Sequence, residues 1–339
     1  MFKKTLTLTA IAAATAISAL SSAGAAEKSV LKFAIFTPDK EMTFQVVMKP
    51  WAERVMKDSK GTLQIQLFPN GALGRHPGKQ LKMVQDGVAD IGWIIPAYTP
   101  GRFPDNAVFQ LPALINTSKE GSVAAWRLYK KGLLRGYENY YVIGLFTTSP
   151  YTIHTKVKLT SMAQLKGKKI RAVGPAMVAS IRALGAAPEP MPFTKIVEAI
   201  SRGRIHGTTG HPIAVHDFGV AKVTNSHYFG RLGTVPLAIM MNRKVYEKLP
   251  AAAKAAIDKN SGEQLSVAFG NMSDNRNREL RMAWSKEGKR TVTVPSAAET
   301  ANWNKTLAPV IGNWAGKHPK GAALLSALKT ELKNIRSGK

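Results

Sequence analysis

Short apolar strands alternate with amphipathic helices along this chain of 339 residues, and this alternation constrains its fold more than any other feature. Apolar runs at 31–36, 63–68 and 90–95 are separated by helical patterns at 44–55 and 79–86. Pro50 lies inside the first helical pattern, where it predicts a kink or a later helix start. The β-α-β-α-β order predicts a largely parallel sheet covered by helices.

The same alternation starts again in the second half of the chain. Strand patterns at 141–148, 169–173 and 205–209 come with helical patterns that begin at Pro175 and Thr194. No flexible linker separates the two series, so we expect two lobes that meet at a cleft. In such folds, ligands bind beyond the carboxyl ends of the strands and between domains.

Helical patterns dominate the chain after another apolar strand pattern at 235–241. They cover 250–286, 297–314 and 321–335, and the first is long enough to contact both lobes. The predicted fold class is therefore α/β with two lobes, each a mixed or mostly parallel sheet with flanking helices, and a long helix that braces both. We expect residues 27–148 and 237–276 in lobe 1, and 149–236 and 277–339, with the C-terminal helices, in lobe 2.

The first 26 residues have the pattern of an export signal. Lys3 and Lys4 precede an apolar segment at 6–20, and Ala23-Gly24-Ala25 matches a cleavage site. The absence of cysteine excludes a lipoprotein anchor at this site. We therefore expect a protein free in the periplasm of a Gram-negative cell.

The strongly basic composition predicts attraction to anions. The net charge is +27, and removal of Lys3 and Lys4 with the signal leaves +25. A nucleic-acid partner is not expected, because the chain has an export signal and its basic residues are spread along the sequence instead of clustered. With no cysteine in the chain, disulfides, thiolate metal sites and cysteine nucleophiles are all excluded.

Motifs for catalysis and cofactor binding are absent. The chain has no G-x-S-x-G and no H-E-x-x-H, and we expect no cofactor. Three histidines recur every five residues, at His206, His211 and His216. This spacing does not match one face of a helix, so a metal-dependent periplasmic enzyme that uses them is the alternative we favour least.

Several segments together resemble the periplasmic solute-binding proteins of tripartite ATP-independent periplasmic (TRAP) transporters. The central ones are KGKKIRAVGPA at 166–176 and ALGAAPEPMPFTKIVEAISRGRIHG at 183–207. The others follow in family order: LKFAIFTP (31–38), LFPNGALG (67–74), VQDGVADIG (84–92), LPALI (111–115) and MNRKVYEKLP (241–250). The resemblance covers about residues 30–250.

This resemblance implies a two-lobed periplasmic binding protein, not an enzyme, that closes on an organic anion. It would deliver the solute to the small and large membrane subunits of a transporter driven by an ion gradient, and we expect it to be a monomer. A related sensing protein that contacts a receptor instead remains an alternative. The family clamps a carboxylate with an arginine that corresponds here to Arg171, and a guanidinium binds carboxylate in a planar, bidentate way.

The other candidate ligand contacts follow from the same comparison of motifs. Phe193 and Met191 lie in the PMPF segment, Trp93 follows a predicted buried strand, and Thr148 lies in the crossover between the lobes. Tyr151 stands where many members of the family have a second arginine.

Further departures from the family pattern fall near the expected site. Gly174 stands near the position of a frequent asparagine, and Thr209 and His211 fall in a segment that often reads Asp-Gly-Gln-Glu-Asn-Pro. These departures leave the site with fewer polar groups than the usual family pattern, and Trp93, Tyr151 and Phe193 lie near it. We therefore expect the site to take a monocarboxylate with an aromatic or aliphatic body.

Overall fold

The structure, a computed structural model, describes residues 28–339. The predicted signal peptide at 1–26 lies outside the described residues. In the part of the chain that the structure covers, no helix combines the length and apolarity that a bilayer span requires.

Eleven strands in the described residues form two separate mixed sheets. The first sheet has the order β2-β1-β3-β10-β4 and the second has the order β11-β9-β5-β8-β6-β7. The strands are β1 (Ser29–Ala34), β2 (Leu63–Phe68), β3 (Ile91–Ile94), β4 (Tyr140–Thr147), β5 (Thr152–Thr155), β6 (Lys169–Ala172), β7 (Ala187–Pro190), β8 (Gly207–Gly210), β9 (Ser226–Tyr228), β10 (Pro236–Asn242) and β11 (Thr291–Thr293).

In the first sheet, β1 pairs in parallel with β2 and β3, whereas β10 runs antiparallel to β3 and β4. In the second, β6 is parallel to β7 and β8, and β5 is antiparallel to β8 and β9. The predicted α/β class with two mixed sheets is confirmed. Each sheet takes one strand or more from a distant part of the chain, so neither is formed by one continuous segment.

Helices flank both sheets. They are α1 (Lys49–Asp58), α2 (Gln80–Gln85), α3 (Ser118–Lys130), α4 (Pro175–Ala183), α5 (Ile196–Ser201), α6 (Pro212–Asp217), α7 (Arg243–Lys248), α8 (Ala251–Lys259), α9 (Glu263–Lys286), α10 (Ala297–Lys317) and α11 (Gly321–Arg336). The helix α1 directly follows a π-helical turn at Phe44–Met48, and Pro50 is its second residue, so the proline marks the later helix start.

Two crossover segments run side by side between the sheets. One joins β4 to β5, and the other leads from β9 into β10. The Thr148 amide donates to the Val235 carbonyl at 3.0 Å, and the Tyr151 amide donates to the Gly233 carbonyl at 3.0 Å. These bonds fix the two crossovers as a pair, which is the arrangement expected of a hinge between lobes.

The helix α9 braces both sheets. Near its start, the Ser266 hydroxyl donates to the Leu145 carbonyl of β4 at 2.7 Å. Further along, the Asn277 side-chain carbonyl accepts from the Ile213 amide of α6 at 2.9 Å. The helical pattern predicted over 250–286 divides at 260–262 into α8 and α9, because Gly262 adopts a φ of +94° that ends a regular helix.

The last helix corrects the predicted composition of lobe 2. Leu324, Leu328 and Leu332 of α11 are buried in a cluster with residues of α3 and β4, which belong to the first sheet's side. Arg336 also donates to Glu120 of α3 at 2.8 Å. The assignment of α11 to lobe 2 is therefore wrong. Its amphipathic pattern predicts a buried face but carries no information on which lobe buries it.

Candidate ligand-binding site

A cavity of about 60 Å³ lies between the two sheets. The residues that line it come from both sides: Phe36, Thr37, Glu41, Thr43, Trp93, Ile95, Tyr98, Thr148, Tyr151, Val173, Phe193, His211, Ile213, Ala214, Phe218, Val235, Leu237, Phe269 and Ser273. A single water needs roughly 10–15 Å³ of such space, so the cavity has room for a small ligand only.

Arg171 is buried at one end of this cavity. It stands on β6, directly before the turn into α4, and its side chain is 0% exposed. Its Nε donates to the Met191 carbonyl at 2.9 Å, and its Nη2 donates to the Tyr98 hydroxyl at 3.2 Å. The guanidinium carbon lies 5.1 Å from the centre of the Phe193 ring. Tyr98 and Phe193 both line the cavity, so the charge of Arg171 acts on whatever the cavity holds.

The Arg171 guanidinium has no carboxylate partner among residues 28–339. Its third hydrogen bond is a long one, from Nη1 to the Thr209 carbonyl at 3.5 Å. A guanidinium has five N–H donors, and these three bonds use one on each nitrogen, so one further donor remains on each terminal nitrogen. The Tyr151 hydroxyl lies beside the guanidinium, on the cavity side. The pair of remaining donors matches the two oxygens of a carboxylate. A buried cation without a counter-ion is costly, and an anionic ligand would relieve that cost.

Tyr98 connects the two lobes at the cavity. It follows β3 in a short 3-10 turn, and its hydroxyl accepts from Arg171 and from the Phe193 amide, the latter at 2.9 Å. Motif comparison did not predict this residue. The remaining signal in the sequence is a polar aromatic placed just after a buried strand, where ligand sites are common.

We expect Tyr98→Phe to weaken binding of a carboxylate ligand by about 1–3 kcal/mol, because two buried donors lose their acceptor. Isothermal titration with benzoate measures the change. A matched Tyr129→Phe variant, at a tyrosine outside the cavity, should bind as the wild type does. Equal affinities for the wild type and Tyr98→Phe would contradict this role for Tyr98.

Aromatic side chains form most of the cavity wall. Trp93 packs against Phe269 with ring centres 6.4 Å apart, and Tyr151 stacks on His211 at 5.8 Å. Burial lowers the pKa of His211 to about 4, so the ring is neutral near pH 7. The His211 Nδ1 is buried and finds no partner among the described residues. The cavity therefore offers flat apolar surfaces and one free polar atom on this side.

One buried carboxyl group also lines the cavity. Glu41, which motif comparison missed, is 5% exposed and accepts from the Thr43 hydroxyl at 2.7 Å and the Phe44 amide at 3.1 Å. Burial raises the pKa of Glu41 to about 7, although these hydrogen bonds act in the opposite direction. The described lining therefore contains a carboxyl group, but no second cation, on this side of the cavity.

Five of the nine predicted contacts line the cavity, namely Trp93, Thr148, Tyr151, Phe193 and His211. Thr148 lines it while its hydroxyl accepts from the Val235 amide at 3.0 Å, so its oxygen is tied to the hinge. Arg171 lies directly behind this lining. That these residues contact a ligand stays a prediction.

The structure does not bring Gly174, Thr209 and Met191 into the cavity lining. Gly174 has a φ of +77°, and a Cβ there would lie 2.3 Å from the Gln110 side-chain oxygen. That glycine therefore serves a tight turn rather than a ligand. Thr209 and Met191 contribute backbone carbonyls that hold Arg171, a role that side-chain identity does not reveal.

The three evenly spaced histidines have separate surroundings. The His206 Nδ1 accepts from the Lys169 amide at 2.9 Å, and the His216 Nδ1 lies 2.7 Å from Asp217, while His211 faces the cavity. Within residues 28–339, no group of three or more potential metal ligands occurs. The metal-dependent alternative therefore gains no support.

The sequence profile of DctP, described as bacterial extracellular solute-binding protein family 7, matches residues 33–317 of this chain. The chain belongs to this family. Family 7 proteins and their structural neighbours are receptors that bind substrates and are not enzymes, so this chain is a TRAP solute-binding protein for organic acids.

Individual members of the family match over most of the chain. A TRAP solute-binding protein from Rhodoferax ferrireducens, solved with copurified benzoate, is 29% identical with a TM-score of 0.86, and the match covers 92% of this chain and 100% of that one. A marine metagenome protein with co-crystallised 3-hydroxybenzoate is also 29% identical, with a TM-score of 0.85 over 91% of this chain and 99% of that one. The C4-dicarboxylate-binding protein DctP of Rhodobacter capsulatus is 24% identical over 95% of this chain and 97% of its own length.

Proposed function

We propose that this family 7 receptor captures a small monocarboxylate with an aromatic or apolar body in the cavity between its lobes. The observation that carries this proposal is the buried guanidinium of Arg171, which has no carboxylate partner among residues 28–339 and adjoins an aromatic cavity. The carboxylate would bind the free donors of Arg171, and its body would pack against Trp93 and Phe193.

Three observations favour one carboxylate over two. Arg171 contacts the lining through Tyr98 and Phe193, no arginine is among the described lining residues, and Tyr151 stands where many members of the family have a second arginine. Glu41 adds a carboxyl group to the cavity lining and not the second cation that a second carboxylate would need. Relatives of similar sequence bind benzoate and 3-hydroxybenzoate.

Thermal-shift measurements with matched acids test this ligand class. Benzoate at a hundredfold excess over its dissociation constant should add about 2.7 kcal/mol to the free energy of unfolding. We expect stabilisation by benzoate and 3-hydroxybenzoate, none by benzamide, and less by succinate. Stabilisation by succinate alone, or by benzamide as much as by benzoate, would contradict the proposal.

Ligand capture should close the two lobes. A ligand that contacts both lobes stabilises the closed state by its difference in affinity for the two states. The hinge would lie at the paired crossovers of Thr148 and Val235. We expect the radius of gyration from small-angle X-ray scattering to fall when benzoate is added, and an unchanged profile at saturation would contradict closure.

The receptor would act in the periplasm and deliver its ligand to the small and large TRAP membrane subunits, as a monomer. With α11 moved to lobe 1, the lobe boundaries expected from the sequence remain part of this proposal. Apart from Pro236, the first residue of β10, the strands of the first sheet all fall within the expected 27–148 and 237–276, which supports these boundaries.

A further inference from the structure

A groove of about 670 Å³ lies behind the wall of the candidate cavity. Three chain segments, 95–98, 173–176 and 235–236, form this wall. Each segment has some residues that line the cavity and others that line the groove. Those that line the cavity are Ile95, Tyr98, Val173 and Val235, and those that line the groove are Pro96, Ala97, Pro175, Ala176 and Pro236. The groove is therefore a separate space that shares a wall with the cavity.

The groove combines an apolar floor with a cationic rim. Phe103, Val310 and Trp314 contribute apolar surface together with several prolines and alanines. Arg182 and Lys317 are exposed at its edge, and neither forms an ion pair with another residue of 28–339. The described lining contains no aspartate or glutamate, so an anionic group at this rim would meet the charges of Arg182 and Lys317 with no carboxylate beside them in the lining.

A buried amide in the groove wall also lacks an acceptor. Asn106 is 3% exposed, and its carbonyl accepts from the Tyr137 hydroxyl at 2.9 Å. Its Nδ2 has no acceptor among the described residues. The adjacent Asp105 does not supply one, because it is fully buried and paired with Arg135 at 2.6 Å. An acceptor brought by a ligand would satisfy this donor.

We propose that this groove is a second binding site, for an amphipathic acid with an aromatic body and one carboxylate. The body would pack on Trp314 and Phe103, and the carboxylate would lie towards Arg182 and Lys317. The site spans both lobes, because Phe103 precedes a 3-10 segment on the side of the first sheet and Arg182 lies on α4 of the second. It does not depend on the function proposed for the cavity.

Fluorine NMR on protein labelled with 5-fluorotryptophan tests the groove directly. All six tryptophans lie in the described residues, and Trp314 lines the groove while Trp93 lines the cavity. Trp314→Phe and Trp93→Phe assign the two signals. The probe is 4-biphenylcarboxylate, added to the Arg171→Met variant so that the cavity lacks its anion-binding group. We expect a saturable shift of the Trp314 signal and a constant Trp93 signal.

A matched pair of substitutions provides the control. Ala179→Glu places a negative charge in the groove wall, and Ala255→Glu makes the same change at an exposed position of α8 outside the groove. We expect the Trp314 shift to disappear in the first variant and to persist in the second. If Ala179→Glu does not fold by circular dichroism, Lys317→Glu at the exposed rim takes its place.

Three outcomes would overturn the proposal. The first is a Trp314 signal that does not respond to the probe, and the second is an equal response in Ala179→Glu and Ala255→Glu. The third is a Trp314 signal that depends on protein concentration without probe, which would indicate that a second copy of the chain covers the groove. Each outcome leaves the test of the cavity unaffected, since that test uses benzoate and Arg171.

Discussion

Arg171→Met should remove carboxylate binding while the protein stays folded. Truncation of one partner of a buried charge pair costs roughly 2–5 kcal/mol, which corresponds to an increase in the dissociation constant of about 30-fold to 5,000-fold. The ligand-free protein should lose much less, because replacement of an unpaired buried charge by an apolar side chain of similar length is often neutral or stabilising. Titration with benzoate and urea unfolding without ligand measure the two effects.

Arg204→Met is the matched control for this experiment. Arg204 is an exposed arginine between α5 and β8, and its replacement changes the net charge by the same amount. We expect wild-type affinity from this variant. An Arg171→Met protein that binds benzoate as the wild type does would contradict the account, and so would equal losses of affinity in the two variants.

Acid should destabilise this protein strongly below pH about 6.5, because three buried histidines stay neutral when it is folded. The Nδ1 atoms of His154 and His227 lie 2.8 Å apart, and the His227 ring stacks on Trp284 at 4.3 Å. Burial lowers the pKa of His154 to about 3, of His227 to about 2 and of His211 to about 4.

The sign of this effect follows from where the protons bind. The unfolded chain takes up these protons as the pH falls through 6.5 and the folded protein does not, so each histidine lowers the free energy of unfolding by about 1.4 kcal/mol per pH unit. Glu41 acts oppositely, since its raised pKa of about 7 means that the folded protein binds that proton first. The histidines outnumber it, so the net loss should be about 2–3 kcal/mol per pH unit below pH about 6.

Urea unfolding across this pH range measures the slope. Replacement of both His154 and His227 by leucine should make the slope much shallower, whereas His76→Gln at an exposed position should leave it unchanged. A free energy of unfolding that stays constant as the pH falls would show that these rings are protonated in the folded protein, contrary to this account.

The long apolar strands were predictable from the sequence, but several short ones were not. The runs that form β1, β2 and β4 have six residues or more, which is enough for their patterns to stand out. In contrast, β7 reads APEP and β9 reads SHY. Prolines are tolerated in β7 because it lies at the edge of the second sheet, where fewer amide donors are needed.

The candidate site was predictable where a motif carries its chemistry. Arg171 and Phe193 belong to such motifs, and the structure brings them within 5.1 Å of each other. Tyr98 and Glu41 lie in turns after strands, where only the folded chain shows which side chains face inward. Gly174 follows Arg171 by three residues and Thr209 lies in a later motif, but their roles depend on backbone conformation and carbonyl direction, which motif comparison does not reveal.

The most direct test of the central claim is a crystal structure of the protein with benzoate. We predict that both carboxylate oxygens lie within hydrogen-bond distance of the Arg171 terminal nitrogens, with the ring between Trp93 and Phe193. Benzoate density elsewhere in the molecule, or an Arg171 side chain directed away from the space between the two sheets, would contradict the account.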